Sequence, residues 1–310
     1  MNSKNKKLLS VAIIAILLIW LFYYIKTHFA DFRQLSLVNP IYIVYFITIN
    51  LIFSFTNGLV IKYLVEPFKI KLLFKEWFGL SVITTFYNAI TPFRGGAIAR
   101  AVYLKKKHDF SYANFLATLS GIYVINLLAA SLLGLLSLIL IYIKYKISST
   151  IVLLIFLAFF LPTLFIVLFS PVMPEGKNFF ANKLAKVING WHLIRKNKKI
   201  TLMISSTIAA QLLLGVLGTI LAYGIFGVEL GFAKSLFLVS ISYLSIVISI
   251  TPGALGISEA VQVFSAMVVG IMPAQSIAVA ILGRAVSTLV LLALGPVFSY
   301  VLLKRVVYKK

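Results

Sequence analysis

Residues 81–92 read SVITTFYNAITP, and residues 241–252 read ISYLSIVISITP. Each stretch is an apolar segment that ends in Ile-Thr-Pro, and a glycine-containing turn follows it: FRGG at residues 93–96 and GALG at residues 253–256. Because proline lacks a backbone N–H and interrupts helical hydrogen bonding, each helix should end near its Thr-Pro pair. The matched breaks at Thr91-Pro92 and Thr251-Pro252 predict a broken helix that occurs twice.

Outside these breaks the chain is rich in apolar residues. Of its 310 residues, 61% are hydrophobic, whereas an average globular protein is about 45–50% apolar. Its surroundings should therefore be lipid. The formal net charge is +22, but the basic residues fall in short gaps between apolar runs, as they do in cytoplasmic loops under the positive-inside rule. This distribution argues against nucleic acid as a partner.

Apolar runs long enough to cross a bilayer, about 20 residues each, are predicted at six places. They are residues 8–25, 41–61, 112–143, 150–170, 200–226 and 276–303. The first resembles a signal peptide but lacks a small-residue cleavage site before Lys26, so we expect it to be retained as a span. The segments at residues 77–93 and 235–272 are interrupted by proline, and each could be a full crossing or a re-entrant hairpin.

Positive charge favours the hairpin alternative. Basic residues cluster at both termini and at residues 62–76, 94–109 and 171–199, and the positive-inside rule places all of these in the cytoplasm. Every cluster obeys the rule if residues 77–93 enter the membrane and return on the same side. The second broken segment then enters from outside, so the two units have opposite orientation, which defines an inverted repeat. Lys144 and Lys146 are exceptions, because the same scheme places them outside.

The sequence therefore predicts an all-α polytopic membrane protein with about six full transmembrane helices and two re-entrant or broken helical hairpins in an inverted repeat. We expect a single integral membrane domain over residues 1–310. It is divided into an N-terminal span and loop (1–40), a first repeat (41–143), a connecting span and basic amphipathic loop (144–199) and a second repeat (200–310).

The basic loop has an apolar helical face of its own. The residues on it are Phe180, Leu184, Val187, Ile188, Trp191 and Ile194. This pattern predicts either an interfacial helix on anionic lipid or a solvated basic loop that only sets topology.

The first break carries arginines. A helix that returns from the turn would start near Gly95 and Gly96, and its N-terminal N–H groups and positive dipole end suit an anion. Arg94, beside that end, offers a planar fork of donors that matches a phosphate. We therefore expect a lipid-phosphate site at Arg94, Gly95, Gly96 and Arg100. The alternative is that both arginines are cytoplasmic topology residues.

The second break is almost uncharged. Glu259 is the only charged residue within residues 235–283, and Arg284 follows about two turns into the last predicted span. Because charges inside a membrane are costly and usually paired or functional, we expect a Glu259–Arg284 ion pair, structural or gating, rather than separate contacts with a substrate. Gating or structural roles are also expected for Thr91, Pro92, Thr251, Pro252, Gly253 and Gly256.

Uncharged polar residues within the spans could line a polar path or hydrogen-bond between helices. They are Asn88, Tyr123, Asn126 and Gln211, and of these we expect Tyr123 and Asn126 to contact a substrate. There is no catalytic motif and no cysteine, and the three histidines have no partner at ligand spacing. We therefore expect neither an intrinsic enzyme nor a metal or other cofactor.

Two motifs, in order, resemble the transmembrane-region family of lysylphosphatidylglycerol synthase. Residues 91–104, TPFRGGAIARAVYL, are similar to its Pro-x-Arg-Gly-Gly segment, and residues 251–260, TPGALGISEA, are similar to its glycine-rich segment that ends in glutamate. The resemblance covers nearly the whole chain and implies lipid translocation across the cytoplasmic membrane. It places Arg94, Gly95, Gly96 and Arg100 in the first motif, and Pro252, Gly253, Gly256 and Glu259 in the second.

The chain departs from that family pattern in one span. Family members often carry a Glu-Arg pair and then an Asp after the first motif, whereas residues 119–126 read LSGIYVIN and carry no charge. Tyr123 and Asn126 can supply only neutral hydrogen bonds there. The resemblance therefore does not extend to a charged substrate or ion site in that span. An aminoacyl-transferase domain is also missing from these residues, so synthesis of the lipid is expected elsewhere.

Three functions are open on the sequence alone. The first is a multi-pass, flippase-like transporter in the cytoplasmic membrane, with both termini in the cytoplasm, for an anionic or aminoacylated phospholipid or a lipid-linked saccharide. The second is a membrane subunit that scaffolds or regulates a partner enzyme, lipid-modifying or glycosyl-transferring, and transports nothing. The third, a small-solute or ion-coupled transporter, fits the repeat but not the scarcity of acidic residues in the membrane.

Overall fold

The computed structural model describes residues 22–23, 26–27, 37–169, 185, 188–192, 194–245, 248 and 251–307. Within those ranges the chain is helical and forms no β-strand. The helices, labelled in chain order, are α1 (Ile41–Val65), α2 (Phe74–Ile90), α3 (Gly95–His108), α4 (Tyr112–Tyr145), α5 (Thr150–Phe169), α6 (Lys198–Gly224), α7 (Phe232–Ser245), α8 (Ile257–Val268) and α9 (Pro273–Val307). Short 3-10 turns occur at Glu66–Phe68, Pro92–Arg94 and Pro252–Ala254.

Five helices in the described part of the chain are long and apolar enough to cross a membrane. They lie within Ile41–Phe68, Tyr112–Tyr145, Thr150–Phe169, Lys198–Gly224 and Pro273–Leu302. These coincide with five of the six predicted spans, and the chain is a multi-pass, all-α membrane protein. The predicted first span, residues 8–25, lies outside the described residues except for Phe22 and Tyr23, which are helical.

Each broken segment folds back on itself as a helical hairpin. In the first hairpin, α3 returns along α2 after the turn at Pro92–Arg94, and in the second, α8 packs against α7 after the turn at Pro252–Ala254. The arms of the first hairpin have 17 and 14 residues, and α8 has 12, each fewer than the roughly 20 residues that a crossing needs. The described part of α7 has 14 residues. Whether each hairpin is re-entrant, and from which side it enters, stays a prediction.

The two units are matched in element order and in packing. Each has a long helix, a hairpin and a second long helix: α1, α2–α3 and α4 in the first unit, and α6, α7–α8 and α9 in the second. The first helix of each unit packs on its own hairpin, α1 on α2 and α6 on α7. The first arm of each hairpin also packs on the last helix of the other unit, α2 on α9 and α7 on α4.

The equivalent helices α1 and α6 run antiparallel. The ring of Tyr42, near the start of α1, lies against Gly224 at the end of α6. Further along α1, the side chain of Asn57 accepts a hydrogen bond from Gln211, which lies earlier in α6. Opposite directions of these two helices are what an inverted repeat requires, and the repeat as a whole stays a prediction.

The basic loop corrects one interpretation of the sequence. Its apolar residues Ile188, Trp191 and Ile194 are buried in the same hydrophobic cluster as residues of α4 and α6. Gly190 lies so close to α4 that a Cβ there would be 2.1 Å from a backbone carbonyl oxygen of that helix. This face packs on protein rather than on lipid, so the interfacial-helix prediction is wrong for residues 188–194. The remaining predicted face residues, Phe180, Leu184 and Val187, lie outside the described residues.

Candidate functional site

Two glycines at the start of α3 let the arms of the first hairpin pack closely. A Cβ on Gly96 would lie 1.8 Å from the carbonyl oxygen of Thr84, and a Cβ on Gly95 would lie 2.2 Å from Oγ1 of Thr91. The Gly96 N–H donates a hydrogen bond to Oδ1 of Asn88 at 3.0 Å. Part of the helix N-terminus predicted to hold an anion is therefore already occupied. In this structure Gly95 and Gly96 are packing positions, and their contact with a substrate stays a prediction.

Arg94 stands at the tip of the first hairpin. Its backbone is left-handed, with φ at 59°, and left-handed backbone costs a residue with a Cβ roughly 1–2 kcal/mol. Its guanidinium lies over the ring of Tyr123 in α4, with Cζ 5.2 Å from the ring centroid, and Nη1 donates to the Tyr123 hydroxyl. Backbone strain of this kind is concentrated at functional sites, so Arg94 is a candidate functional residue.

A buried carboxylate, which the sequence analysis did not identify, joins the arms at the base of this hairpin. Glu76, in the first turn of α2, is 4% exposed. Its Oε1 accepts a hydrogen bond from the Tyr103 hydroxyl at 2.9 Å and lies 2.6 Å from Nζ of Lys107 and 3.0 Å from Nε2 of His108. Burial alone would raise the pKa of Glu76, but hydrogen bonds from Lys107, the Leu73 N–H and Tyr103 outweigh burial and lower that pKa to about 2. The ionised carboxylate ties α2 to α3 at neutral pH.

The second hairpin is fastened to α9 by Arg284. Its Nε donates to Oε1 of Glu259 at 2.8 Å, and its Nη2 donates to the same oxygen and to Oγ of Ser258. Its Nη1 donates to the carbonyl oxygen of Gly253, in the turn itself, at 2.9 Å. Glu259 also accepts a hydrogen bond from the Gly256 N–H at 2.7 Å, which caps the start of α8. The expected contact between Glu259 and Arg284 is present, and its gating role stays a prediction.

Replacement of Arg284 by lysine should lower the free energy of unfolding by about 2 kcal/mol, because hydrogen bonds to charged groups contribute roughly 1.5–3 kcal/mol. Lysine keeps the charge but cannot hold Gly253, Ser258 and Glu259 together in one planar fork. Exchange of the two charged residues, Glu259→Arg with Arg284→Glu, should rescue neither single variant, because arginine at 259 cannot accept the Gly256 N–H. Thermal unfolding in detergent measures both effects, and full rescue by the exchange would contradict this role.

The turns of the two hairpins contact each other. Pro92 and Pro252 each begin a 3-10 turn at their Thr-Pro break. Gly253, with φ at 56°, faces the first hairpin, and a Cβ there would lie 3.3 Å from Cα of Ala89. The Thr251 side chain is buried and donates to a carbonyl oxygen within its own turn. The two Thr-Pro breaks, which follow similar segments in the sequence, are therefore neighbours in space.

A polar cavity of about 500 Å³ lies beside this meeting point. Its walls come from α1, both hairpins, α4 and α6. Two arginines line it, together with eleven residues that carry amide or hydroxyl groups: Asn57, Ser81, Thr84, Thr85, Asn88, Tyr123, Asn126, Gln211, Ser242, Tyr243 and Thr251. The remaining lining residues are apolar or glycine. No aspartate or glutamate among the described residues lines this polar cavity.

Four of the six residues expected to contact a substrate line the polar cavity: Arg94, Arg100, Tyr123 and Asn126. The other two, Gly95 and Gly96, do not. Arg100 stacks on an aromatic ring, with Cζ 5.1 Å from the centroid of Phe115. These two arginines, which the sequence left as either substrate or topology residues, both face the cavity. Guanidinium, amide and hydroxyl donors together suit a phosphate.

Uncharged polar residues both hydrogen-bond between helices and line the polar cavity, the two roles considered from the sequence. Gln211 joins α6 to α1, because its Nε2 donates to Oδ1 of Asn57 at 3.0 Å, and it also lines the polar cavity. The buried Oδ1 of Asn126 and the buried hydroxyl of Tyr243 have no hydrogen-bond partner among the described residues. A buried polar atom without a partner costs free energy. Asn126 and Tyr243 are therefore candidates to bind polar groups of a ligand.

The described residues contain no group of three or more histidine, cysteine, aspartate or glutamate side chains that could hold a metal ion.

A second cavity of about 320 Å³ adjoins the polar cavity along α1 and α6. It is lined by α1 side chains within residues 46–53, and the polar cavity by α1 side chains within residues 53–61. Phe53, Ser242 and Tyr243 line both. At 1.5 Å of rise per residue, this stretch of α1 spans about 22 Å. The two cavities are therefore stacked along the helix, with Phe53 and Tyr243 between them.

Comparison with known proteins agrees with this architecture. A family model described as "Lysylphosphatidylglycerol synthase TM region" matches residues 7–295, nearly the whole chain. The matched range contains both hairpins and every described residue that lines the polar cavity. No curated protein and no solved structure matches the chain. The chain belongs to the family of the lysylphosphatidylglycerol synthase transmembrane region.

Proposed function

We propose that this chain moves a phosphate-bearing lipid between the two leaflets of the membrane, with the phosphate bound by Arg94 and Arg100. The observation that carries the proposal is the lining of the polar cavity, where two hairpins meet and two guanidinium groups lie among amide and hydroxyl side chains. Charges inside a membrane are costly and mark substrate or ion pathways. A guanidinium binds phosphate through two parallel hydrogen bonds, and lipid head groups are the phosphates that a membrane offers.

The stacked cavities supply a path for the head group. The second cavity has no charged side chain among its described lining residues, so a phosphate would bind at the two arginines and then pass Phe53 and Tyr243. In inverted-repeat transporters, substrate binds between the repeats, and one repeat rocks against the other. Glu76 and Arg284 would keep each hairpin rigid during such a motion, so the contact between Gly253 and Ala89 is where the units would separate.

Reconstitution tests this proposal. Wild-type protein in phosphatidylcholine vesicles should move acyl-chain-labelled phosphatidylglycerol between leaflets faster than protein-free vesicles do, as measured by the loss of label to a membrane-impermeant quencher. Vesicles that contain an unrelated multi-pass protein control for leakage and bilayer disturbance. If no phosphate-bearing lipid moves faster than in both controls, the proposal is wrong, and the alternative of a non-transporting membrane subunit gains support.

The proposed orientation places the base of the first hairpin, with Lys105, Lys106 and Lys107, in the cytoplasm of a cell bounded by this membrane. Lys106 and Glu229 are both exposed, and the chain has no native cysteine. We expect Glu229→Cys to react with a membrane-impermeant maleimide in intact cells, and Lys106→Cys to react only after permeabilisation. Reaction of Lys106→Cys in intact cells would mean that the first broken segment crosses the membrane.

A further inference from the structure

Among the described residues, the charged side chains that line the polar cavity are all positive. Of the described acidic residues, none lines it. Glu76 is engaged at the base of the first hairpin, and Glu259 is engaged by Arg284 and the Gly256 N–H. The polar cavity therefore has positive groups for a phosphate but, among the described residues, no negative group for a cation.

The positive charge of Arg100 lies over the aromatic ring of Phe115. Its guanidinium stacks on Phe115 and has no hydrogen bond or ion pair with another described residue. Stacking on an aromatic face stabilises a guanidinium while its N–H edge stays available for hydrogen bonds. This arrangement prepares the edge of Arg100 for an anion in the cavity.

A head group with an ammonium would meet the opposite environment. An ethanolamine places a positive charge close to the phosphate, and an aminoacyl ester places one further along the same head group. The charged residues that line the cavity here are two arginines, and its other described lining residues are neutral. Like charges in a site of low dielectric repel strongly, and such repulsion is an effective way to reject a competing ligand. The neutral amide of Asn126 and the hydroxyls of Tyr123 and Tyr243 can bind hydroxyl groups of a ligand but cannot neutralise an ammonium.

We infer that this cavity selects lipids whose head group carries a phosphate ester and no ammonium group, so that aminoacylated phospholipids are excluded. The inference rests on the proposed function and names the substrate class of the same site. Two kinds of lipid share this chemistry: a glycerophospholipid with an uncharged polyol beyond its phosphodiester, and a polyprenyl phosphate.

The test compares four labelled lipids in separate reconstitutions of the wild-type protein. They are phosphatidylglycerol, a polyprenyl phosphate, lysyl-phosphatidylglycerol and phosphatidylethanolamine. At least one of the first two should move at least about tenfold faster than either of the last two, because tenfold corresponds to a free-energy difference of about 1.4 kcal/mol. Comparison of the first two arms shows which source of phosphate the protein uses. If lysyl-phosphatidylglycerol or phosphatidylethanolamine moves less than about tenfold more slowly than the best phosphate ester, the inference is wrong.

A binding measurement separates this inference from the proposed function. In detergent, phosphatidylglycerol or polyprenyl phosphate should raise the Tm of the protein at concentrations where lysyl-phosphatidylglycerol does not. If the Tm shows this selectivity but no lipid moves in vesicles, the inference stands and the transport proposal fails. If lysyl-phosphatidylglycerol raises the Tm equally, the inference fails whatever moves.

A matched pair of variants tests the charge argument itself. Asn126→Asp places a carboxylate of nearly the same shape on the cavity wall, and it should reduce the preference for phosphatidylglycerol over lysyl-phosphatidylglycerol at least about tenfold. Asn114→Asp makes the same change on the same helix, about 18 Å away and off the cavity, and it should leave the preference unchanged. Equal preference in the Asn126→Asp variant and the wild type would contradict the charge argument. If that variant does not fold, the comparison of the four lipids on the wild-type protein serves as the test.

Discussion

Vesicles that contain the Arg94→Gln, Arg100→Gln double variant should move phosphatidylglycerol about a hundredfold more slowly than vesicles that contain the wild type. Each charge-assisted hydrogen bond contributes roughly 1.5–3 kcal/mol, and about 1.4 kcal/mol corresponds to a tenfold change. Loss of one such bond at each arginine therefore removes at least two factors of ten. Glutamine keeps a neutral donor at each position, so the loss reports mainly on charge.

The matched control for this double variant is Lys106→Gln. It removes a positive charge from the same helix, α3, but at an exposed position that does not line the polar cavity. Its rate should equal that of the wild type. The Tm of the double variant, measured in parallel, separates the loss of the contacts with Tyr123 and Phe115 from the loss of phosphate binding. A double variant that moves lipid at the wild-type rate would refute phosphate binding by these arginines.

The second large effect concerns the packing of the first hairpin. Gly96→Ala should lower the free energy of unfolding by about 3 kcal/mol, at the upper end of the usual cost of overpacking. Its Cβ would lie 1.8 Å from the Thr84 carbonyl oxygen and 2.9 Å from Oδ1 of Asn88. The arms would have to separate, and the hydrogen bond from the Gly96 N–H to Asn88 would be lost.

Gly283→Ala is the control for that substitution. Gly283 lies within α9, and a Cβ there would meet the ring of Phe46 at 3.8 Å, an ordinary contact. Alanine within a helix should raise stability by roughly 0.5–1 kcal/mol relative to glycine. Thermal unfolding in the same detergent compares the two variants. Equal Tm values for Gly96→Ala and Gly283→Ala would contradict the close approach of α2 and α3.

Much of the fold follows from local sequence signals. The apolar runs predicted five of the helices that are long enough to span the membrane, and the Thr-Pro pairs predicted the C-terminal end of α2 and the position of both turns. The inverted orientation could be predicted because it depends only on the parity of spans and the placement of basic loops. The antiparallel packing of α1 and α6 is consistent with that orientation.

The interior of the candidate site depends on contacts that no local pattern encodes. Glu76 meets Tyr103 and His108 at separations of 27 and 32 residues, and nothing near Glu76 in the sequence distinguishes it from a cytoplasmic loop residue. Arg284 could be assigned to Glu259 because so few charges occur nearby, but its hold on the Gly253 carbonyl depends on the shape of the turn. The packing role of Gly96 is set by Thr84, on the facing arm.

The apolar face at residues 188–194 shows a further limit. Helical periodicity reveals that one face is apolar, but it does not show whether lipid or protein covers that face. Gly190 is the one clue, since a residue without a side chain allows close contact with another helix. Here that helix is α4, and the face is buried in the protein.

The central claim is that the lipid head group occupies the cavity between the hairpin tips, and photo-crosslinking tests it most directly. Wild-type protein in vesicles is irradiated with phosphatidylglycerol that carries a diazirine in its head group, and the labelled residues are mapped by mass spectrometry. We predict labels on α3 near Arg94 and Arg100 and on α4 near Tyr123 and Asn126, and a large loss of these labels in the Arg94→Gln, Arg100→Gln variant. Labels confined to lipid-facing helices such as α5, and unchanged in that variant, would contradict the claim.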